Sequence, residues 1–448
     1  MTLEAGTLLA RLRELETGAA SPCRYVIAFS GGLDSTVLLH AMVAVRKELA
    51  APLLAIHVDH GLHEDSAAWS ERCRELAAAL DVEFRSLSVN VQLESGKGPE
   101  ASARDARYNA LHAELQFDDW LLSAHHREDQ AETLLLNLIR GSGPMGIAGI
   151  GSIRRFGPGW LARPLLETGR QELQDYASRE GLAWLEDPSN VDRRFDRNFL
   201  RHDILPRLGA RWPDIAARLQ RSASHAGEAS QLLTDLAAID LASIGGRADR
   251  LAIDQLLSFS PARQRNLLRH ALRQLGLATP TAMQLSRIQN ELIPARTDAQ
   301  PLVTWSGAAV RRYRNGLYLL HEISHELPES IEIATPGVPS DAVPLGPGLG
   351  VLQFRPGQKP GLDTGRFGRG IRIQFRQGGE ELQPFGQSHT RKLKKLLQEE
   401  GVVPWMRDRL PLVYAGDDLV AVGDLWMAED AVSAEGVEVL WKDRPALH

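Results

Sequence analysis

The stretch YVIAFSGGLDS, residues 25–35, joins a short apolar run to a turn of serine and glycine. The run 25–29 predicts a buried strand, and a helix is predicted to begin near Asp34. Backbone N–H groups at the start of such a helix bind phosphate, and the two glycines allow the backbone to approach it closely. Ser30 and Ser35 add hydroxyl donors. Because Asp34 would repel a bare phosphate, a bridging Mg²⁺ ion is predicted at this carboxylate.

Other phosphate-binding loops fit this turn less well. The Walker loop requires a lysine after its last glycine, and none follows Gly32. A GxGxxG pattern occurs at Gly141, Gly143 and Gly146, but it follows a helical run, which predicts a loop that ends a helix. SGGLDS instead resembles the loop of the ATP pyrophosphatase (PP-loop) superfamily, whose members split ATP into AMP and pyrophosphate. A Ser-Gly turn with an aspartate helix cap is the purely structural alternative.

Length and composition are typical of a multidomain globular protein. The chain has 448 residues, of which 43% are hydrophobic and 24% charged, and about two to four domains are expected. Cys23 and Cys73 are its only cysteines, a usage that favours the cytosol and predicts neither a disulfide framework nor a cysteine-ligated metal. No run approaches the roughly 20 apolar residues of a spanning helix, so no membrane partner is expected. The net charge of −6 requires any RNA contact to come from local basic patches.

Short apolar runs alternate with helical stretches between residues 23 and 124. This alternation predicts an α/β fold with a parallel sheet covered on both faces. Ligands of such sheets bind beyond the carboxyl ends of the strands, so SGGLDS, residues 57–60 and residues 124–126 should converge. Strands are predicted at 25–29, 53–58, 82–89 and 120–124, and helices at 34–49, 66–80 and 102–115.

The chain is predicted to contain four segments. Residues 1–212 form the α/β nucleotide-binding domain, and residues 213–326 lack strand alternation for most of their length, which predicts a helical domain. Residues 327–370 are rich in proline and glycine, which predicts a linker with short strands. Residues 371–448 are predicted to form a small mixed α/β domain with a basic helix at 391–395.

Two motifs near the turn leave alternatives open. HVDHG begins at His57 and, together with His63, offers a dense cluster of metal-ligand residue types, although a strand end that frames adenine explains it about as well. Arg104 and Arg107 lie at i, i+3 on one predicted helix face, where two guanidiniums can clamp phosphate or carboxylate. A solvated helix face is the alternative for this pair.

Residues 124–133, AHHREDQAET, place two histidines at a predicted strand end and carboxylates in the helix that follows. Asp129 and Glu132 share one face of this helix at i, i+3. Such carboxylates can serve only the helix dipole. Beside a nucleotide site, they could also bind Mg²⁺ or act as a general base toward an amine.

Several motifs occur together in the order found in one enzyme family. The sequence resembles the tRNA(Ile)-lysidine synthase family over residues 24–206 through SGGLDS, HVDHGL, ARDARY, AHHREDQAETLLLNLIRGSGP, RPLL and WLEDPSNVDRRFDRNFLR. Near the carboxyl end, RQGGE, HTRKLKKLLQEE and WMRDR resemble the family's terminal domain. The family commonly has two aspartates before the glutamine of the histidine motif, whereas this chain has Glu128 at the first position.

The resemblance implies a reaction and its substrates. Family members use ATP to adenylate the C2 oxygen of the wobble cytidine in the CAU-anticodon tRNA(Ile), and the ε-amine of free L-lysine then displaces AMP. The lysidine formed reads A rather than G. The implied cofactors are ATP and Mg²⁺, with Asp34 as the metal ligand, and the implied partners are this tRNA and lysine.

The resemblance also assigns site residues. The candidate catalytic residues are Asp34, Arg104, Arg107, His125, Asp129 and Glu132. The candidate nucleotide-binding residues are Ser30, Gly31, Gly32, Leu33, Asp34, Ser35 and His57. The candidate tRNA-binding residues are Arg193, Arg194, Arg197, Asn198, Arg201, Arg265, Arg269, Arg273, Arg391, Lys392, Lys394 and Lys395.

Rival functions stay open on the residues alone. A PP-loop tRNA thiolation enzyme would need catalytic cysteines, and two cysteines about fifty residues apart make a poor pair. An amidotransferase-type ligase would need a glutaminase segment, for which no nucleophilic cysteine motif is found, and a non-catalytic RNA-binding module would leave SGGLDS unexplained. The oligomeric state is open, and a homodimer is compatible with the sequence. A zinc hydrolase would draw its ligands from His57, Asp59, His60, His125 and His126.

Overall fold

The computed structural model describes residues 3–61, 66–90, 99–186, 192–296, 299–322, 330–333, 342–356 and 360–448. It divides into two compact units, Met1–Leu233 and Thr234–His448. Within these described ranges, no helix is both long and apolar enough to cross a membrane.

The first unit alternates strands with helices, as the sequence predicts. Its strands are β1 (Tyr25–Ala28), β2 (Leu53–Asp59), β3 (Glu83–Ser88), β4 (Trp120–Leu122), β5 (Ile153–Phe156) and β6 (Gly159–Ala162). Its helices are α1 (Ala5–Glu16), α2 (Leu33–Ala44), α3 (Ser66–Ala79), α4 (Pro99–Glu114), α5 (Arg127–Ile139), α6 (Pro144–Ile147), α7 (Arg170–Arg179), α8 (Asp196–Phe199), α9 (Leu205–Arg211) and α10 (Ile215–Ser243), the last of which contains the division between the units. A 3₁₀ turn (Arg46–Glu48) follows α2, and a π-helical turn (Leu200–Ile204) precedes α9.

These six strands form one sheet in the order β3-β2-β1-β4-β6-β5. All neighbours pair parallel except β5 and β6, which are antiparallel. Tyr25 pairs with Leu53 on one side and with Trp120 on the other, so β1 is flanked by β2 and β4. The turn that follows β1 therefore lies beside the carboxyl ends of both neighbours. The predicted parallel-sheet α/β fold is confirmed.

Both faces of the sheet are covered, which explains why its strands are apolar runs without alternation. Tyr25 and Ile27 contribute to one core with residues of α1, α2, α3 and α7, while Val26 and Leu54 contribute to a second core with residues of α4. Successive side chains of a strand point to opposite faces, so every residue of β1 has an apolar environment. The GxGxxG pattern is a loop only in its first part: α5 ends at Ile139 and Gly141 adopts a φ of 71° after it, whereas Gly143 caps the short helix α6 and Gly146 lies within it.

The second unit begins with helices and adds a sheet that the sequence analysis did not predict. Its elements here are β7 (Arg250–Ala252), α11 (Ile253–Leu257), α12 (Pro261–Gln274), α13 (Ala282–Arg287), a π-helical turn (Ile288–Leu292), β8 (Leu302–Trp305), β9 (Ala308–Tyr313) and β10 (Gly316–His321). The four strands form an antiparallel sheet in the order β7-β10-β9-β8. Leu267 and Leu268 of α12 share one core with Val310 and Leu317 of the sheet.

The remaining strands of this unit form two five-stranded sheets and a two-stranded pair. The elements are β11 (Ile331–Ile333), β12 (Val343–Pro344), β13 (Val351–Pro356), β14 (Gly361–Leu362), a 3₁₀ segment (Thr364–Arg369), β15 (Ile371–Phe375), β16 (Glu381–Leu382), β17 (Arg391–Lys392), α14 (Leu393–Glu400), α15 (Pro404–Arg407), β18 (Pro411–Ala415), β19 (Asp418–Val422), β20 (Trp426–Met427), a 3₁₀ turn (Glu429–Ala431), β21 (Val432–Ser433) and β22 (Val437–Lys442). Of the described strands between 327 and 370, β11, β13 and β14 pair with β15, β21 and β22 of the terminal segment, and β12 pairs with β13. The four domain boundaries given above stay a prediction.

The basic helix predicted at 391–395 is wrong in its start. Arg391 and Lys392 form the short strand β17, which pairs with β16, and α14 begins only at Leu393. The helix is defined by its buried leucines, of which Leu393 and Leu397 are fully enclosed, and Lys392 before it has an extended backbone. Arg391 is therefore directed by strand geometry and not by the helix face.

Candidate active site

The turn after β1 is held by hydrogen bonds of its own hydroxyls. The Oγ atoms of Ser30 and Ser35 lie 3.1 Å apart, and Ser35 Oγ also donates to the carbonyl of Gly32 at 3.0 Å. Thr36 Oγ1 donates to the carbonyl of Gly31 at 3.2 Å. In the described chain no side chain caps the start of α2. The first N–H groups of this helix are therefore available to an anion above the turn.

Gly31 is required for both conformation and space. Its φ is +79°, which side-chain-bearing residues rarely adopt. A Cβ atom at this position would lie 2.7 Å from Cys73 Sγ and 2.8 Å from Leu185 Cδ1. The N–H of Leu185 donates to the Gly31 carbonyl at 2.8 Å, so the segment around Leu185 is fastened to the turn.

His126 brings the turn and the histidine motif together. It occupies the N-cap position of α5 and is only 1% exposed. Its Nε2 lies 3.7 Å from Asp34 Oδ2 and 3.5 Å from Asp129 Oδ2. The predicted convergence of SGGLDS with residues 124–126 is thus confirmed in the geometry.

Glu128 orients the His126 ring from the opposite side. The Nδ1 atom of His126 donates to Glu128 Oε2 at 2.9 Å. The same oxygen accepts the backbone N–H of Arg170 at 2.9 Å, at the first residue of α7. Although burial alone would lower it, Glu128, Asp129 and Asp34 together raise the pKa of His126 above its usual value. The carboxylate that departs from the family pattern therefore links the histidine to a second helix.

Asp34 is half-buried and faces the site from the second residue of α2. Its Oδ1 atom is buried and has no hydrogen-bond partner among the described residues. Desolvation raises the pKa of this carboxyl above its usual value, with His126 acting in the opposite direction. An unpartnered carboxylate oxygen beside an anion-binding turn has the donor chemistry that a hard cation prefers.

Glu132 is fully buried and anchors two arginines. Its Oε1 accepts from Arg201 Nε at 2.7 Å, and its Oε2 accepts from Arg197 Nε and Arg201 Nη2, each at 3.0 Å. The interpretation of these arginines as an RNA-facing surface does not fit this placement, because their side chains are only 24% and 21% exposed and pair inward. Both arginines, predicted to bind tRNA, instead pair with one buried carboxylate.

Asp129 shares the same arginine. Its Oδ1 accepts from Arg201 Nη2 at 3.0 Å, and its Oδ2 accepts the backbone N–H of His126 at 3.0 Å. Burial would raise the pKa of Asp129, but the charges of His126, Arg197 and Arg201 outweigh it and hold this pKa below its usual range. The lowered pKa makes Asp129 a weaker base than an ordinary aspartate.

His125 points to a different environment from its neighbour. Its Nδ1 is hydrogen-bonded to the hydroxyl of Ser123. Burial, together with the charges of Arg163, Arg197 and Arg104, lowers the pKa of His125 far below its usual value. His125 is therefore a neutral imidazole next to a group of cations.

Three arginines near this histidine, Arg104, Arg107 and Arg163, have no acidic counterpart in the described structure. Arg104 and Arg107 lie 5.2 and 5.7 Å from the centre of the Tyr108 ring. Arg163 is 6% exposed, donates to the Gly151 carbonyl at 2.6 Å and has a buried Nε without a partner. Among the described residues, no ion pair joins any of these three arginines to a carboxylate. They form an anion-attracting wall, and Arg163 was not among the predicted site residues.

The zinc ligand set proposed as an alternative does not assemble. His57 donates through Nδ1 to the Phe29 carbonyl at 3.0 Å, and Asp59 accepts the Gly61 N–H at 2.9 Å. No three His, Cys, Asp or Glu side chains within the described ranges converge to hold a metal ion. His63 lies outside those ranges. Burial raises the pKa of the Cys73 thiol to about 12, which disfavours the thiolate that a thiolation mechanism needs.

The other predicted RNA contacts differ in how far their charge is neutralised. Arg193 pairs with Asp203, Arg194 pairs with Asp192, and Asn198 donates to the Asp192 carbonyl. The like charges of Arg265 and Arg273 act on Arg269 and help burial to lower its pKa, so the three form one basic face of α12. In the terminal segment Arg391 pairs with Glu399, whereas the side chains of Lys392, Lys394 and Lys395 are exposed.

His126, Arg163 and Leu185 neighbour this site but were not predicted as residues of a nucleotide site, and His126 was named only in the alternative zinc ligand set. His126 lies in AHHREDQAET and Arg163 in RPLL. Because histidine is not a favoured helix cap, no capping signal is present in the sequence at His126. Leu185 carries no sequence signal, because its contact with Gly31 depends on chain folding over more than 150 residues.

Comparison with known proteins assigns the segment that contains the phosphate-binding turn to a known family. A family model described as a PP-loop domain matches residues 7–208, a TilS substrate binding domain matches residues 251–318, and a TilS substrate C-terminal domain matches residues 371–441. The phosphate-binding turn and the first match define the class of the protein: it is a PP-loop enzyme that uses ATP.

Whole-chain similarity then narrows the class to a family. The chain is 42% identical to the tRNA(Ile)-lysidine synthase of Alkalilimnicola ehrlichii over 94% of this chain and 93% of the relative. It is 39% identical to that of Coxiella burnetii, over 96% and 95%, and 41% identical to that of Methylococcus capsulatus, over 92% and 93%. The chain belongs to the tRNA(Ile)-lysidine synthase family and is an ATP-dependent ligase that acts on tRNA.

Proposed function

We propose that this enzyme joins L-lysine to C2 of the wobble cytidine of the CAU-anticodon tRNA(Ile). In the first step the C2 oxygen attacks the α-phosphorus of ATP, and pyrophosphate leaves. In the second step the lysine ε-nitrogen attacks C2, AMP departs with the former C2 oxygen, and the amine loses a proton. The observation that carries the proposal is the convergence of the phosphate-binding turn with Asp34, His126 and Asp129 at the strand ends.

The turn and the arginine wall suit the first step. The N–H groups at the start of α2, which no described side chain caps, would stabilise the charge that develops on pyrophosphate. Arg104, Arg107 and Arg163 would attract the nucleotide or the RNA phosphate, since no described carboxylate neutralises them. A Mg²⁺ ion bound by Asp34 would neutralise phosphate oxygens; the fit rests on the unpartnered buried Oδ1.

The carboxylates suit the second step in a modified role. Asp129 and Glu132 can hold the positively charged amine of lysine, but the lowered pKa of Asp129 makes it a poor proton acceptor. The two carboxylates therefore position lysine by charge, and its proton leaves to another acceptor. Arg201 must give up part of its pairing for the amine to enter.

The second unit would then hold the tRNA. Basic faces at Arg265, Arg269 and Arg273 and around α14 offer phosphate contacts on an acidic protein. The cytoplasm is the compartment in which such a substrate is met. tRNA affinity should fall steeply with salt while ATP affinity does not; equal salt dependence would argue against these contacts.

The decisive experiment supplies labelled lysine, ATP and unmodified tRNA to the purified chain. Label should enter the tRNA with equimolar release of AMP and pyrophosphate, and omission of any substrate should stop it. Asp34→Asn should abolish pyrophosphate release, whereas Asp175→Asn, an exposed change on α7, should not. Absence of lysine incorporation by the unaltered enzyme would refute the proposal.

A further inference from the structure

A second polar pocket lies within the second unit, between the β9–β10 turn and the end of α14. Its volume is about 230 Å³. Two arginines, Arg314 and Arg407, lie close to the ring of Tyr313, with guanidinium carbons 5.1 and 5.8 Å from the ring centre. The pocket is lined by Ala299, Gln300, Tyr313, Arg314, Gln398, Pro404 and Arg407.

Both guanidiniums are held in place by neutral acceptors. Arg407 donates through Nε to the Val402 carbonyl at 2.9 Å and through Nη2 to the Tyr313 hydroxyl at 3.0 Å. Arg314 donates through Nη2 to the Gln398 carbonyl at 3.1 Å, near the end of α14. These bonds fix the positions of the charges and leave further N–H donors on each guanidinium, since each carries five.

Within the described part of the chain, the two charges of this pocket have no ion-pair partner. Nearby arginines of the terminal segment do have acidic partners: Arg391 pairs with Glu399, and Arg376 pairs with Asp408. Among the described residues, no ion pair joins Arg314 or Arg407 to a carboxylate. Two fixed guanidiniums around an aromatic ring, open to solvent through exposed Arg314, form a site whose missing partner is an anion.

The basic surface continues from this pocket along α14. Lys394 and Gln398 are four residues apart and therefore share one face of the helix, and both are exposed. Two successive phosphates of one chain could thus contact Lys394 and the pocket. A single small anion would use only one of these two contact points. At the end of α14 the Gln398 carbonyl, which would repel an anion, already accepts a hydrogen bond from Arg314.

We propose that Arg314, Arg407 and Tyr313 form a phosphate-binding pocket for the sugar–phosphate backbone of the tRNA substrate. A backbone phosphate accepts hydrogen bonds from the two guanidiniums, and an adjoining phosphate lies against Lys394. This contact adds affinity without reading sequence. The proposal rests on tRNA as the substrate and not on the identity of the amine that is joined to it.

The test measures tRNA affinity against salt for Arg314→Gln, which removes the charge of this exposed guanidinium. Loss of one phosphate contact should lower the slope of log K against log[KCl] by about 0.7 to 0.9, with weaker binding at low salt. The KM for ATP should not change. Arg314→Lys, which keeps the charge, should recover most of the slope, and Arg287→Gln, which removes an exposed cation already paired with Glu291, should leave it unaltered.

The outcomes separate this pocket from the rest of the function. An unchanged salt slope in Arg314→Gln, with the thermal transition of the variant preserved, would overturn the proposal. Inorganic phosphate is also added to the wild type and to Arg314→Gln. If phosphate binds the wild type better than the variant while the two bind tRNA with equal affinity, the pocket takes free anions only and the proposal also fails. Lysidine formation by the wild type, measured in parallel, tests the proposed reaction independently of either result.

Discussion

Glu132→Gln distinguishes a chemical role for this carboxylate from an anchoring one. The change keeps the shape of the side chain but leaves Arg197 and Arg201 without their shared buried counter-charge. Removing one partner of a buried ion pair costs about 3–5 kcal/mol. Because the side chains of Arg197 and Arg201 are 24% and 21% exposed, we expect a free-energy cost at the lower end of this range, about 3 kcal/mol. For a unit of this size, about 2–4 °C per kcal/mol gives a melting temperature lower by about 6–12 °C.

The assay is calorimetry of the full chain, following the transition that ATP shifts upward. Glu75→Gln is the matched control, because its pairing with Arg72 is exposed and should be worth less than about 1 kcal/mol. Lysine incorporation is measured on the same samples at a temperature where the variant is folded. A melting temperature within about 2 °C of the wild type, combined with lost incorporation, would refute the anchoring role and restore Glu132 as a reacting group.

Three further predictions concern the turn and its histidines. Gly31→Ala should lower the free energy of unfolding in urea by about 3 kcal/mol, because of the strained φ and the contact with Cys73. Gly61→Ala, with a φ of +60° and open space around it, should lower it by only about 1–2 kcal/mol. Equal losses in the two variants would contradict the packing argument. The lowered pKa of His125 contributes stability above about pH 6.5 that is lost as pH falls, so His125→Gln should flatten the acid side of a plot of melting temperature against pH. The raised pKa of His126 contributes stability below about pH 6.5 that is lost as pH rises, so His126→Gln should flatten the alkaline side of the same plot. Glu128→Gln should lower kcat by a larger factor than it changes the KM for ATP, because it removes the negative charge beside the His126 ring without touching the turn. A change in KM alone would count against this positioning role.

The turn and the sheet could be predicted from the sequence because their signals are local. The change from a strand pattern to a helix pattern falls within residues 25–35, and the buried strands are continuous apolar runs. The sheet β7-β10-β9-β8 was not predicted, because its sequence does not show a local strand pattern. Arg312 is buried in β9 and donates to the Leu292 carbonyl, so a charged residue stands where the pattern required an apolar one.

The pairing within the site could not be predicted, because it joins distant parts of the chain. Arg197 and Arg201 lie 65 and 69 residues from Glu132 in sequence, and their spacing shows only that they share a helix face. Whether that face meets RNA or a buried carboxylate depends on how α8 packs against α5. The extra methylene of Glu128 likewise acquires its meaning only from the backbone N–H of Arg170.

The charges of the site also give a physical reason for the order of the two proposed steps. Arg104 and Arg163 face no described carboxylate, so a nucleotide or an RNA phosphate can approach them without breaking an existing ion pair. Asp129 and Glu132 are already matched by Arg201, so an amine must displace an arginine before it can be held. Anion binding is therefore favoured in the unliganded site and amine binding is not. Negative charge that arrives with the nucleotide can draw Arg201 away from the carboxylates, which would make lysine binding follow adenylation.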